Sequence, residues 1–222
     1  MKYKCIIFDC DGTLVDTVVD IAIAMNRSLT SHGFPDLPLE KYRNMVSWGI
    51  VRLTAMALPE KARTKKNIQS IAIYARQFMI NQTQEQSLAK PYPGIKELVM
   101  ELSMQKKIFT AVLSNKDNAA LLRLMNDLFG LNAFDVVCGL QPGIAPKPDP
   151  SATWEILAEV NKNPHDTIFL GDSEIDMATA RNAGCYPLGA SWGFRSRAAL
   201  EKAGAAQIID KPNEIWELVV RK

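Results

Sequence analysis

Asp9-Cys10-Asp11-Gly12-Thr13 follows directly on the apolar run Cys5-Ile6-Ile7-Phe8. Two carboxylates two residues apart at the end of a buried strand project to the same side of the backbone. The Gly-Thr turn behind them suits close approach of the main chain to an anion. A divalent cation, a phosphate and a carboxylate nucleophile can meet in such a place, although the same residues also suit a plain polar turn. A second apolar run, Phe109-Thr110-Ala111-Val112-Leu113, ends in Ser114-Asn115. That pair offers donors to phosphoryl oxygens, or a cap for the helix that follows. Lys147, between Pro146 and Pro148, sits on a constrained backbone that can aim its stem at a phosphate and a carboxylate together. Its alternative is a surface lysine in a proline-rich loop. A third apolar run ends in Gly171-Asp172-Ser173-Glu174-Ile175-Asp176. Asp172 and Asp176, four apart at a helix start, are hard oxygen ligands of the kind Mg²⁺ takes, or acids favoured by a helix N-terminus.

Positioning these groups is the task of the alternating pattern around them. Strands are expected at Lys4–Phe8, Phe109–Leu113, Asp135–Cys138, Thr167–Leu170, Cys185–Leu188 and Gln207–Ile209. Helices are expected at Gly94–Gln105, Ala119–Phe129, Ser151–Val160, Met177–Ala183 and Arg197–Lys202. Strand and helix in alternation argue for an α/β fold, a parallel sheet with helices on both faces. Ligands of such sheets bind beyond the carboxyl ends of the strands, which is where each of the four motifs falls. From Asp16 to Lys90 the pattern changes to helices without a convincing strand: Val18–His32, Leu39–Met45, Gly49–Ala57 and a long one over Lys61–Gln82. We therefore expect a core of residues 1–15 and 91–222, with an all-helical insertion of residues 16–90.

The bulk properties narrow the function. The 222 residues carry a net charge of +2, so charge does not point to nucleic acid or an acidic membrane. Lys61-Ala62-Arg63-Thr64-Lys65-Lys66 reads as a solvated helix face. Cys5, Cys10, Cys138 and Cys185 lack CxxC or zinc-ligand spacing. Cys10, between two carboxylates, is a poor thiolate. No signal peptide and no run of about 20 apolar residues is evident, which fits the cytoplasm.

Taken in order, Asp9-x-Asp11-Gly12-Thr13, Ser114, Lys147 and Gly171-Asp172-Ser173-x-x-Asp176 resemble the haloacid dehalogenase-like hydrolase superfamily. The resemblance runs over essentially the whole chain and implies a Rossmann-like core with a helical cap of the first type. Leu14-Val15-Asp16-Thr17, Tyr92-Pro93-Gly94 and Ser191-Trp192-Gly193-Phe194-Arg195 look like its phosphoglycolate phosphatase-like branch. By that resemblance Asp9 is the nucleophile and Asp11 the general acid and base. Mg²⁺ is held by Asp9, the Asp11 main-chain carbonyl and Asp172, with Ser173 and Asp176 in support. Gly12, Thr13, Ser114, Asn115 and Lys147 bind the phosphate. Dehalogenases of the superfamily lack an acid at the position of Asp11, so its presence disfavours dehalogenation. The implied activity is Mg²⁺-dependent hydrolysis of a small phosphorylated metabolite, phosphoglycolate-like or a sugar phosphate. A phosphosugar mutase, a pyrophosphatase, a nucleotidase and a non-catalytic binding domain are the alternatives. Where that branch usually carries Gly-x-Gly in the cap, this chain has Ser47-Trp48-Gly49. With Arg52 a turn onward, these are the expected cap contacts to substrate, and the change bears on phosphoglycolate itself. The residues do not indicate a protein partner.

Overall fold

The structure is a computed structural model that describes residues 3–105 and 107–219. The first strand, β1 (Cys5–Phe8), is followed by a two-residue strand, β2 (Val15–Asp16). Four helices come next: α1 (Val18–Ser31), α2 (Leu39–Arg43), α3 (Ile50–Ala57) and α4 (Lys65–Asn81). The chain returns through β3 (Lys90–Pro91) to α5 (Ile95–Ser103), β4 (Phe109–Asp117), α6 (Asn118–Phe129) and β5 (Val136–Leu140). Then follow α7 (Ser151–Glu159), β6 (Thr167–Gly171), α8 (Glu174–Ala183), β7 (Tyr186–Ala190), α9 (Arg197–Lys202), β8 (Gln207–Ile209) and α10 (Trp216–Val219).

Six strands form one parallel sheet in the order β5-β4-β1-β6-β7-β8. This is the expected α/β architecture with helices on both faces. Alternation along β1 divides its apolar residues between two layers. Ile6 and Phe8 pack with Leu98, Leu121 and Ile215, while Cys5 and Ile7 pack with Ile156, Leu157 and Ala180. Full burial of the strand explains its unbroken apolar run.

The helices α1–α4 build a separate apolar cluster. Val18, Ile21, Ala22, Met25 and Leu29 form one stripe of α1, facing Leu53, Leu58, Ile71 and Ala75. Two details depart from the sequence expectation. The segment begins and ends in strand, since Val15 and Asp16 pair antiparallel with Pro91 and Lys90. Such a short ribbon has no periodicity to read. The long helix over Lys61–Gln82 is also interrupted. A 3-10 turn at Glu60–Ala62 ends before Thr64, whose hydroxyl accepts from Asn67 N and starts α4. Asp20 ties the returning chain to α1 through Ser87 Oγ (2.6 Å) and Leu88 N (2.8 Å).

Candidate active site

β1, β4 and β6 are neighbours in the sheet, and their carboxyl ends, with the loop that follows β5, bring the four motifs to one place. Asp9 and Asp11 leave β1, and the turn closes through Gly12 N–H on the Val15 carbonyl (2.9 Å) and Thr13 N–H on the Cys10 carbonyl (3.3 Å). Gly12 has φ +88°, and a Cβ there would collide with the Asp172 carboxylate and the Phe194 ring. Glycine is thus required for both conformation and space. Gly171 has the second reason alone, because a Cβ would run into Asp176.

Lys147 is buried, not a surface lysine. Its Nζ is 2.8 Å from Asp9 Oδ1 and 2.7 Å from Asp176 Oδ1. Asn115 fixes the loop that presents it, accepting from Lys147 N at 2.8 Å and donating Nδ2 to Lys147 O at 3.1 Å. The same Nδ2 donates to Ser47 O at 2.9 Å. The Asn115 side chain is therefore a clasp joining three segments. Ser114 is buried and accepts from Lys116 N. Neither residue caps α6: Asp117 does so, accepting from Ala119 N and Ala120 N.

Asp172 Oδ1 accepts from Thr13 Oγ1 at 3.3 Å, and Oδ2 accepts from Phe194 N at 2.6 Å. Ser173 caps α8 in a reciprocal arrangement with Asp176, whose Oδ2 accepts from Ser173 Oγ at 2.6 Å and from Ser173 N at 3.1 Å. Oxygens of Asp9, Asp172 and Asp176 lie within 4.8 Å of one another, all three side chains buried.

Burial dominates the electrostatics. It pushes the Asp9 carboxyl up to about 7, reinforced by Asp176 and opposed by Lys147. Asp172 is raised well above the ordinary range by burial, then by Asp176 and Asp9. Burial works against the Lys147 cation, yet Asp176 and Asp9 hold it more basic than usual. The Cys10 thiol is also held well above its usual value, by burial first and Asp11 next, in keeping with an inert spacer.

Three contacts escaped the sequence reading. Lys116 Nζ lies 2.9 Å from Asp11 Oδ1, and Thr17 Oγ1 donates to the same oxygen at 2.6 Å. Two-residue periodicity puts Lys116 on the same strand face as Ser114, a usable signal. Arg195 joins Glu174 to main-chain carbonyls of residues 43–46, which only the tertiary fold could bring together.

A cavity of about 40 Å³ lies over the carboxylates. Asp9, Asp11, Ser114, Asn115 and Lys116 contribute to it from the sheet; Ser47 and Gly49 contribute from the helical segment. Trp48 and Arg52 lie outside its lining. They stack on each other, the Arg52 guanidinium carbon 3.3 Å from the Trp48 ring centre.

An open parallel sheet with buried carboxylates at the ends of its central strands, met by a lysine from the loop after β5, defines an α/β fold with an acidic site. Residues 6–190 match the model of the haloacid dehalogenase-like hydrolase family, and the chain belongs to that family. A phosphoglycolate phosphatase of Vibrio cholerae is 27% identical over 220 residues, covering 98% of this chain and 97% of its own. Another, from Pasteurella multocida, is 30% identical over 198 residues, with 87% and 88% covered. A crystal structure described as a candidate phosphoglycolate phosphatase, from Lactobacillus delbrueckii subsp. bulgaricus, superposes with a TM-score of 0.90 at 31% identity. It covers 100% of both chains.

Proposed function

We propose that this protein is a Mg²⁺-dependent phosphatase that hydrolyses a small phosphorylated metabolite through an aspartyl-phosphate on Asp9. The chain is a phosphoric monoester hydrolase, as its relatives are. The observation that carries the reading is the setting of Asp9. One oxygen, Oδ1, is held by Lys147 (2.8 Å) and Cys10 N (2.7 Å), and oxygens of Asp9, Asp172 and Asp176 lie within 4.8 Å of one another.

The residues present fit a divalent cation. Asp9, Asp172 and Asp176 are buried together with Lys147 as their near counter-charge, so the cluster is short of positive charge, and its donors are hard oxygens. Asp9, Asp172 and the Asp11 main-chain carbonyl would hold the ion, with Ser173 and Asp176 fixing the surroundings. A cation there neutralises charge that would otherwise keep carboxylate and phosphate apart.

In the first step an Asp9 oxygen attacks phosphorus and the bond to the leaving oxygen breaks. Asp11 gives that oxygen its proton. In the second step Asp11 takes a proton from water, whose oxygen attacks phosphorus and returns Asp9 as carboxylate with inorganic phosphate. Lys147 and Ser114 hold the transferring oxygens in both steps. Residues 16–90 act as a cap that excludes bulk water and contacts the leaving group.

Phosphate release from a panel of phosphomonoesters, with Mg²⁺ and with chelator, tests this for wild type and Asp9→Asn. Turnover that needs the ion and disappears in the variant supports it; equal release by the variant overturns it. Calorimetric titration with Mg²⁺ gives a second readout, and undiminished binding by Asp172→Asn would reject the proposed ligand set.

A further inference from the structure

Another hollow adjoins the catalytic cavity. It is a cleft of about 590 Å³ between the helical segment and the sheet, and the two spaces share Ile50, Asn115 and Asp117 in their linings. Its walls are largely apolar: Ile50 and Val51 from α3, Ala72 and Ile73 from α4, Leu140 at the end of β5 and Pro142 in the loop beyond. Val51 and Ile73 are 58% and 59% exposed. Large apolar side chains left open on facing walls mark a groove that binds something. The charged groups of the cleft satisfy each other. Arg76 Nη2 lies 2.5 Å from Asp117 Oδ2, while Asp117 Oδ1 caps α6. Gln69 and Gln141 add neutral amides.

The catalytic cavity fixes where a leaving group starts and leaves little room for where it ends. At about 40 Å³ it holds roughly three waters. Its roof of Ile21, Leu53 and Met79 belongs to the packed cluster of the helical segment. A further space beside Lys116, about 30 Å³, is no larger and is lined in part by Asp20, Ser87 and Arg123. An alcohol of more than a few atoms therefore runs past the shared residues into the cleft, whose volume suits a ligand of many atoms. Lys116 keeps ammonium donors beyond its Asp11 contact and can serve a polar atom near the ester. Past Asp117 the walls offer apolar contact. We infer that this cleft is the subsite for the distal part of the alcohol, and that the substrate is a phosphomonoester whose alcohol carries an apolar chain or ring beyond its first few atoms. The inference rests on the phosphatase reading above and adds the class of alcohol released. Val51 and Ile73 act on its recognition; the chemistry stays with Asp9 and Asp11.

Ethyl, butyl, hexyl and octyl phosphate, each below its micellar concentration, test it. Wild-type kcat/KM should rise about two- to fourfold for each methylene added from butyl to octyl, mostly through KM. Ile73→Glu and Val51→Glu change exposed helix positions, so folding is secure, and each puts a charge in the cleft. Each should lower the octyl-to-ethyl ratio of kcat/KM by about tenfold or more, whereas Ile73→Leu should keep it. 5-Carboxypentyl phosphate matches hexyl phosphate in length but ends in a carboxylate, and should fall below it. A flat wild-type series, or a ratio unchanged in both glutamate variants, overturns the inference. So does a carboxypentyl ester that outranks hexyl, which would mean that Arg76 reads an anion there. Sedimentation velocity covers the other occupant: a wild-type dimer dissociated by Ile73→Glu would place a second copy in the cleft and sink the inference. p-Nitrophenyl phosphate separates the two layers. If it is hydrolysed in an Asp9-dependent way while chain length proves indifferent, only the cleft inference fails. If neither it nor any ester of the series is hydrolysed, the phosphatase reading fails and takes this inference with it.

Discussion

Lys116 Nζ and Thr17 Oγ1 converge on one oxygen of Asp11, at 2.9 Å and 2.6 Å. The two donors come from different elements, β4 and the N-terminal cap of α1, so the carboxylate is fixed in position from two segments. Asparagine at position 11 keeps an acceptor for both but has no proton to transfer. Asp11→Asn should therefore slow hydrolysis of an alkyl phosphate by about 10²- to 10⁴-fold. A p-nitrophenyl leaving group needs no proton, so with that ester the variant should release about one equivalent of nitrophenol rapidly and then stall before dephosphorylation. Stopped-flow absorbance at stoichiometric enzyme checks this; steady turnover without a burst would remove Asp11 from the second step.

Asp9 makes the metal-free protein sensitive to pH. Its carboxyl is raised to about 7 by burial, then by Asp176, against an ordinary value of 3.8. Between those values the folded chain keeps a proton that the unfolded chain has released. Unfolding then releases a proton, and stability falls as pH rises from about 4 to about 7. Below that window both states are protonated and the group contributes nothing. Above it the full cost of burying the anion is present, of the order of a few kcal/mol. Asp172, raised for the same first reason, adds in the same direction. In chelator, Tm of the wild type should decline across this range, and Asp9→Asn should decline less and exceed wild type at pH 8. Mg²⁺ should raise the wild-type Tm more at pH 8 than at pH 5, because protons compete with the ion at the lower pH. Thermal melts over this range check both statements, and an Asp9→Asn curve parallel to wild type would contradict them.

The sheet was legible because each central strand is an unbroken apolar run ending in polar residues, and burial on both faces produces that pattern. Asp9, Asp11, Asp172 and Asp176 were legible for the same reason, since strand ends fix where their neighbours lie. Lys147 was less so, because two prolines describe its backbone and not the carboxylates that receive its Nζ. Asn115 read as a phosphate donor or a cap, and its clasp on residues 47 and 147 depends on contacts 68 and 32 positions away. Arg52 read as a cap contact to substrate, because it lies a turn beyond Ser47-Trp48-Gly49. Spacing does not show that its guanidinium stacks on the Trp48 ring.

Lys147 offers a direct test of the buried cluster. Ala in its place leaves the buried Asp9 and Asp176 without the cation that lies between them. Breaking a buried pair in this way costs about 3–5 kcal/mol, and losing a donor to the transferring phosphoryl costs at least about 10²-fold in kcat. In chelator Lys147→Ala should melt well below wild type. Mg²⁺ should recover part of that stability while activity stays low. A surface lysine would give neither effect, so an unchanged Tm in chelator would contradict the role assigned to its Nζ.

Arg195 straps the loop before α3 to the sheet domain. Nε meets Glu174 Oε2 at 3.0 Å, Nη1 donates to the Arg43 carbonyl at 2.6 Å, and Nη2 donates to the Val46 carbonyl at 3.3 Å. The forked guanidinium thus ties α8 to the chain just before Ser47, through carbonyls at the end of α2 that carry partial negative charge. A lysine can reach one of these acceptors but not all, so Arg195→Lys should behave nearly as Arg195→Ala. Both should speed amide exchange over residues 44–49 by about tenfold or more, with the sheet amides unaffected. KM should rise several-fold in parallel, because part of the binding energy must then order the loop that carries Ser47. Glu174→Gln retains the carbonyl contacts and should change exchange little. Equal exchange in wild type and both arginine variants would show that the apolar cluster of α1–α4 holds the loop without this strap.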